Sequence, residues 1–164
     1  MKWLKFSSRR AYQCKTATAP SVRVLASEVT TCVDSSEQEI AALFDRWNNS
    51  LATQDPTQVA ANYSPTAVLL PTLSNTPRNT PASIEEYFVH FLNKKPQGAI
   101  NERTIKLGCN QASDVGIYTF TLRDEQGETT TAVARYSYVY SYQNGQWLID
   151  HHHSSLMPEP VAEN

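Results

Sequence analysis

The residues best suited to chemistry lie in one strand-like run near the end of the chain, at positions 147–158. This run contains consecutive histidines followed by serines, and the strand period of two puts every second side chain on the same face. One face begins with tryptophan and isoleucine, so we predict that this face points at the core. The polar residues on the same face would then line a pocket. The predicted inward residues are Trp147, Ile149, His151, His153 and Ser155, with Asp150, His152 and Ser154 outward unless a β-bulge reverses the parity.

Imidazoles at strand positions i and i+2, such as His151 and His153, can bind one metal ion together through their ring nitrogens. Such a site needs a third ligand, and the only histidine outside the run is His90, which lies in a predicted helix. The alternative is a network of buried histidines satisfied by hydroxyl groups and backbone, which is the commoner arrangement for buried polar groups. Both interpretations stay open at this point.

Other polar residues are candidates for the same pocket. Arg135 lies on a long predicted strand, on the face that we interpret as inward. There it must pair with a carboxylate, such as Asp150 or Glu86, or hold a small planar anion. Tyr87, on the apolar stripe of a predicted helix, and Thr72, just after a proline, could each direct a hydroxyl into the pocket.

The elements that carry these residues follow a simple order, with helices first and strands after them. Ser36, Asp55–Pro56 and Thr80–Pro81 each predict the start of a helix. Asn144–Gly145 predicts a tight hairpin. This order is typical of an α+β domain whose N-terminal helices pack on one face of a curved antiparallel sheet. Strands are predicted at residues 67–70, 103–109, 115–122, 129–142 and 147–155.

The longest predicted strand carries an alternating row of tyrosines that share one face by the period of two. A tyrosine-rich face is typical of a subunit interface, because aromatic residues are enriched there. We therefore predict a homo-oligomer; the alternative is a half-exposed aromatic ladder. The row consists of Tyr136, Tyr138, Tyr140 and Tyr142.

Composition and charge exclude several function classes. The 164 residues carry a formal net charge of −2, which disfavours nucleic acid or an anionic membrane surface as the main partner. No apolar run approaches the roughly 20 residues of a membrane span. The cysteines, Cys14, Cys32 and Cys109, are odd in number and far apart, which disfavours a disulfide framework or a zinc cluster. We interpret Cys109 as a small core residue.

Residues 1–34 differ in composition from the rest of the chain. They are basic, have no acidic residue before Glu28, and are rich in Ser, Thr and Ala. This composition is typical of an organelle transit peptide, and a flexible basic tail is the alternative. We predict that the folded domain spans residues 35–160.

Segments along nearly the whole chain after Ser35 resemble the calcium/calmodulin-dependent kinase association-domain family, within the nuclear-transport-factor-2-like (NTF2-like) superfamily. The histidine–serine segment at 151–155 is most similar to that of the iota-class carbonic anhydrases of algae, cyanobacteria and other bacteria. The resemblance implies an NTF2-like cone that self-associates, most simply as a homodimer. The segments that carry it are 69–72, 86–88, 135–140 and 144–159.

The same resemblance implies reversible hydration of CO2 to bicarbonate. Some members of the class hold bicarbonate with hydroxyl side chains and no metal, whereas others have been described with zinc or manganese. Carried onto this chain, the hydroxyl residues are Thr72, Tyr87 and Ser155, with Ser154 replacing Ser155 if the strand register differs. We expect no metal cofactor. The expected location is the cytoplasm for a bacterial chain and the plastid for a eukaryotic one.

In the predicted scheme His151 or His153, or a hydroxyl network, orients a water and accepts its proton. The hydroxyl residues and Arg135 stabilise the charge that develops on the bicarbonate oxygens. Without a metal, nothing obvious lowers the pKa of water from about 15.7 to about 7, as zinc does. The competing function class is a non-catalytic module that binds a small carboxylate or drives oligomerisation, since a fold does not fix a function.

Overall fold

The computed structural model describes residues 31–72 and 74–159, so most of the predicted leader and Cys14 lie outside the described residues. Three helices carry the first half of the domain: α1 (Glu37–Ala52), α2 (Pro56–Ala60) and α3 (Pro81–Phe91), the last extended by a 3₁₀ turn at Leu92–Lys94. The side chains of Ser36, Asp55 and Thr80 accept hydrogen bonds from backbone N–H groups of the first turns. The three predicted helix starts are therefore confirmed.

Five strands form one sheet in the order β1-β5-β4-β3-β2. Strands β2 to β5 are antiparallel neighbours, but β1 runs parallel to β5. The expected antiparallel sheet is thus a mixed one. Parallel neighbours need a long connection, and here it consists of α3 and the other three strands. The strands are β1 (Tyr63–Leu70), β2 (Gln97–Gly108), β3 (Gln111–Arg123), β4 (Thr129–Gln143) and β5 (Gln146–Leu156).

The core lies between the helices and the inner face of the sheet, and the tyrosine row of β4 forms much of it. Tyr136, Tyr138 and Tyr140 are at most 3% exposed. The Tyr138 ring packs edge-on against Trp47 of α1 with ring centroids 5.9 Å apart. The prediction that this row forms a subunit interface is therefore wrong. Alternation separates the two faces of a strand correctly, but both faces of β4 carry apolar side chains, so the pattern could not tell which face is inside.

A β-bulge at Asp150 decides the orientation of the histidine run. Val139 of β4 pairs with His151, whereas the next residue, Tyr140, pairs with Ile149, so Asp150 is one residue too many on β5. The extra residue reverses the parity beyond it. The outward Asp150 carboxylate accepts a hydrogen bond of 2.7 Å from the Ser64 hydroxyl.

A disulfide between Cys32 and Cys109 corrects two predictions from the cysteine pattern. Cys109 lies exposed beside the β2–β3 turn rather than in the core. Next to it, the Asn110 side chain accepts a hydrogen bond of 2.8 Å from the Val33 N–H and donates one of 3.0 Å to the Thr31 carbonyl. Residues 31–33 are thereby fastened to the domain. The sequence could not show this pair, because the two cysteines meet only through tertiary structure.

Within the described part of the chain, no helix is both long enough and apolar enough to cross a membrane.

Candidate functional site

A cavity of about 60 Å³ lies between α1, α3 and the inner face of the sheet. Its walls are mainly aromatic rings and aliphatic side chains, and it reaches the surface beside Leu156, which is 49% exposed. None of the described residues that line it carries a carboxylate, an ammonium or a guanidinium group. Hydroxyl, imidazole and indole groups supply its polar atoms, from Thr72, Tyr87, Tyr118, Ser154, His152 and Trp47.

The parallel pairing of β1 with β5 builds the polar end of this cavity. Leu70 pairs with His153, which brings Thr72, just beyond the end of β1, beside Ser154. The Thr72 and Ser154 hydroxyls form a hydrogen bond. Burial raises the pKa of the Tyr118 phenol, and a hydrogen bond with Ser154 partly opposes that rise. The hydroxyls of Thr72, just past β1, of Tyr118 on β3 and of Ser154 on β5 therefore belong to the same part of the cavity wall.

Tyr87 adds a fourth hydroxyl from α3. Its ring stacks on Phe91, with centroids 5.6 Å apart, and lines the cavity. Burial raises the pKa of Tyr87 to about 12, although the positive charge of Arg78 opposes the rise. The phenol therefore stays protonated at neutral pH and can donate a hydrogen bond to a ligand.

His152 is the imidazole of the cavity wall. Its Nδ1 lies 2.9 Å from the Tyr63 hydroxyl oxygen, and its ring stacks on Tyr138 with centroids 4.1 Å apart. Burial lowers the pKa of His152 to about 3, and the neighbouring His151 and His153 lower it further in the same direction. The ring is therefore neutral at physiological pH. Its other nitrogen, Nε2, is buried and has no hydrogen-bond partner among the described residues.

The structure brings some of the predicted site residues together and separates others. Thr72 and Tyr87 line the cavity as expected, and Ser154 takes the place first given to Ser155. The expectation that His151, His153 and Ser155 point inward is wrong, because the bulge at Asp150 turns them to the outer face. His152, Tyr118 and Trp47 also supply polar atoms to the cavity wall, and none of the three was predicted to line it.

Arg135 is also misplaced by the sequence pattern. It lies exposed on the outer face of β4, where its guanidinium donates a hydrogen bond of 3.2 Å to the Ser155 hydroxyl. It cannot hold a ligand inside the cavity from there. Arg135 alternates with the tyrosine row along β4. Evidence that this row faces the core would therefore have placed Arg135 on the outer face.

A zinc or manganese site would need several ligand side chains close together. In the ranges 31–72 and 74–159, no three His, Cys, Asp or Glu side chains lie close enough together to hold a metal ion. His151 and His153 share the outer face, but no third His, Cys, Asp or Glu of the described residues joins them there. These residues do not fit a zinc or manganese site, and a metal-independent function stays a prediction.

An open groove adjoins the cavity at Ser154. His153 and Ser154 line it from β5, and Pro71, Ser74 and Asn75 line it from the segment after β1. Pro71 and Ser154 belong to both the groove and the cavity wall.

Comparison with known proteins identifies relatives of the whole domain. The family described as calcium/calmodulin dependent protein kinase II association domain matches residues 36–158. The crystal structure of a candidate association domain of this kind from Xanthomonas campestris is 52% identical, with a TM-score of 0.75, and the match covers 77% of this chain and 91% of that one. No curated protein matches the chain.

More distant structures share the fold alone. An NTF2-like superfamily protein from Salmonella enterica is 23% identical with a TM-score of 0.64, and the match covers 77% of this chain and 95% of that one. The association domain of C. elegans CaMKII is 14% identical with a TM-score of 0.59, over 73% of this chain and 94% of that one. These matches confirm the predicted NTF2-like α+β architecture.

Proposed function

This chain belongs to the calcium/calmodulin dependent protein kinase II association domain family, and from that premise we propose that it is a self-associating domain whose cavity binds a small oxyanion, either a carboxylate or bicarbonate. The observation that carries the proposal is the convergence of the Thr72, Tyr87 and Ser154 side chains on one cavity with otherwise apolar walls. Function at such a site depends on a few polar groups that fix a ligand within an apolar pocket.

The size of the cavity limits its ligand. The cavity has a volume of about 60 Å³, well above the roughly 10–15 Å³ that one water molecule needs, so it has room for a small molecule. Bicarbonate, formate and acetate are of this size. The hydroxyl groups and the neutral His152 can donate hydrogen bonds to oxygen atoms, and no carboxylate among the described lining residues would repel a negative charge.

Self-association is supported by the family and by the outer face of the sheet. That face carries half-exposed apolar side chains on β1, β4 and β3, with the histidines and serine of β5 between β1 and β4. An apolar patch with a polar surround is typical of a surface that another protein covers. A second copy fits it, because symmetric oligomers use self-complementary faces, and a homodimer is the simplest form. The apolar residues are Val68, Leu70, Val115, Ile117, Val133 and Val139.

Reversible hydration of CO2 is the second candidate function. It is favoured by the apolar cavity walls that surround the hydroxyl cluster. Apolar walls suit uncharged CO2, and hydroxyl donors suit the charge that develops as bicarbonate forms. In this reaction the oxygen of a water forms a bond to the CO2 carbon, one C=O electron pair moves onto oxygen, and a proton leaves the water. The cavity thus has suitable surroundings for substrate and product.

The proton is the demanding part of this scheme. A general base works best with a pKa near the working pH, and the pKa of His152 is about 3. The proton would therefore leave through the Ser154 and Thr72 hydroxyls to the groove, where His153 lies. This route replaces the expected direct transfer to His151 or His153 inside the pocket.

One pair of assays tests both functions. Bicarbonate and formate are titrated into untagged protein while backbone amide NMR signals are followed, and CO2 hydration is measured by stopped flow before and after chelation, with metal content quantified. Ser154→Ala is compared with Ser155→Ala, its neighbour on the outer face. Loss of binding in Ser154→Ala alone supports the oxyanion site, and loss of hydration in parallel supports catalysis. Binding without hydration in the wild type leaves a binding module, and no binding refutes the cavity proposal.

A further inference from the structure

The two ring nitrogens of His152 are in different situations. Nδ1 lies 2.9 Å from the Tyr63 hydroxyl oxygen. Nε2 is buried without a partner, on a side chain that lines the cavity and is 4% exposed. Buried polar atoms in proteins almost always have a partner, so an unpartnered one on a cavity wall points to a ligand or an ordered water as its partner.

Tyr63 determines which nitrogen of His152 carries the proton. In a neutral imidazole one nitrogen donates and the other accepts. Within the described residues, the only hydrogen bond of the Tyr63 hydroxyl is the one to His152. If Nδ1 carried the proton, the Tyr63 hydrogen and the Nε2 lone pair would both be buried without partners. With the proton on Nε2, the Tyr63 hydrogen is satisfied and only the Nε2–H remains free to donate.

The surroundings of Tyr63 favour the same assignment. Burial raises the pKa of Tyr63 well above its usual value, so the phenol keeps its hydrogen. The Tyr63 hydroxyl therefore has a hydrogen to donate, and His152 Nδ1, 2.9 Å away, is the acceptor within reach.

The His152 ring has little freedom to turn over and exchange its nitrogens. Tyr138 stacks on one face, with ring centroids 4.1 Å apart, and Trp47 packs edge-on with centroids 5.4 Å away. A half-turn of the ring would also break the bond to Tyr63. The donor state of Nε2 is therefore set by the fold and is present before a ligand arrives.

We propose that His152 binds the oxyanion of the cavity by donating a hydrogen bond from Nε2–H, and that Tyr63 is the positioning residue that fixes this tautomer. This inference rests on the proposed function of the cavity. It assigns the imidazole to recognition of a ligand oxygen and not to acceptance of a proton. Together with the hydroxyls of Thr72, Tyr87 and Ser154 it forms a ligand-binding group made only of uncharged side chains.

The tautomer can be read directly by NMR. Histidine labelled with ¹⁵N is incorporated into the full chain, whose four histidines are assigned by single substitutions. At neutral pH without ligand, we expect His152 to be protonated at Nε2 and unprotonated at Nδ1. Tyr63→Phe removes the hydroxyl that donates to Nδ1, and we expect the Nδ1-protonated form to appear in this variant. A purely structural role for Tyr63 would leave the tautomer unchanged, and that result overturns the positioning role.

Titration with sodium bicarbonate, and with sodium formate as an analogue, then tests the contact. We expect the His152 Nε2–H proton signal to shift as the backbone signals of Thr72 and Ser154 shift. If those backbone signals respond but the His152 signal does not, the His152 contact is overturned while the oxyanion site stands. If His152 is protonated at Nδ1, the donor role of Nε2 is likewise overturned while the oxyanion site stands. If no signal responds to either anion, the cavity proposal and this inference fail together.

Substitutions give an independent reading of affinity. His152→Gln keeps a side-chain N–H donor of similar reach, and His152→Leu removes it. Loss of one hydrogen bond to a charged group weakens binding by about ten- to a hundredfold. We expect that loss in His152→Leu and only a few-fold loss in His152→Gln, each with a native circular dichroism spectrum. Equal losses in the two variants would overturn the donor role.

Discussion

The Thr72 and Ser154 hydroxyls are hydrogen-bonded to each other although 82 positions separate them in the chain. Thr72 lies just past the end of β1 and Ser154 lies in β5, so this contact exists only because the two strands run side by side in parallel. In a pair of hydroxyls one group donates to the other, which leaves one hydrogen free. The pair can therefore direct a donor into the cavity while remaining satisfied itself.

Removal of the Thr72 hydroxyl separates its role in binding from its role in packing. Thr72→Val keeps the shape of the side chain and loses the hydrogen bond, whereas Thr72→Ser keeps the hydroxyl and loses a methyl group. We expect Thr72→Val to weaken bicarbonate binding about tenfold and to reduce the free energy of unfolding by about 1 kcal/mol. Calorimetric titration and urea denaturation measure the two effects. A greater loss of binding in Thr72→Ser than in Thr72→Val would show that shape, not the hydroxyl, matters.

The buried His152 makes stability depend on pH. Its pKa is lowered from 6.5 to about 3 in the folded protein, chiefly by burial, so below pH 6.5 the unfolded chain binds a proton that the folded chain does not. The neutral His152 ring therefore makes its full contribution to the free energy of unfolding above about pH 6.5. As the pH falls toward 3, that free energy decreases by about 1.4 kcal/mol per pH unit.

Urea denaturation between pH 7 and pH 4 measures this slope. We expect His152→Gln to lower this slope by about 1.4 kcal/mol per pH unit, the contribution of one proton. An identical slope in the wild type and in His152→Gln would contradict the prediction.

The Cys32–Cys109 disulfide closes a loop with a sequence separation of 77 residues. Bonds that close long loops typically contribute about 2–4 kcal/mol by restricting the unfolded chain. We expect Cys109→Ser to reduce the free energy of unfolding by that amount. Dithiothreitol should bring the wild type to the stability of the variant and should not affect the variant further. A native melting temperature after complete reduction would show that the hydrogen bonds of Asn110 alone hold residues 31–33.

The outer face of the sheet is expected to mediate self-association. Val139→Glu places a charge at the centre of that face, opposite His151, and burial of an unpaired charge in an interface is strongly unfavourable. We expect light scattering coupled to size-exclusion chromatography to show a smaller particle for Val139→Glu than for the wild type. Val89→Glu is the control, since Val89 is 49% exposed on α3. Equal particle sizes for the wild type and Val139→Glu would contradict a sheet interface.

Much of the fold follows from local sequence signals. The capping residues Ser36, Asp55 and Thr80 mark the helix starts because their side chains satisfy backbone donors within the same turn. The hairpin at Asn144–Gly145 is equally local, and it was predicted where the structure has it. Thr72 and Tyr87 were also predicted to face the pocket, Thr72 from its position just after a proline and Tyr87 from its position on the apolar stripe of a helix.

Tertiary structure alone decided which face of β4 and β5 is inside, and with it the composition of the site. The alternation of side chains is a property of the sequence, but its phase relative to the core changes when one residue, Asp150, is left out of the pairing with β4. The same holds for the Cys32–Cys109 bond and for the parallel contact that joins Thr72 to Ser154. Each depends on strands or segments that are distant in sequence, whose pairing is selected by packing of the whole domain and not by any short-range preference.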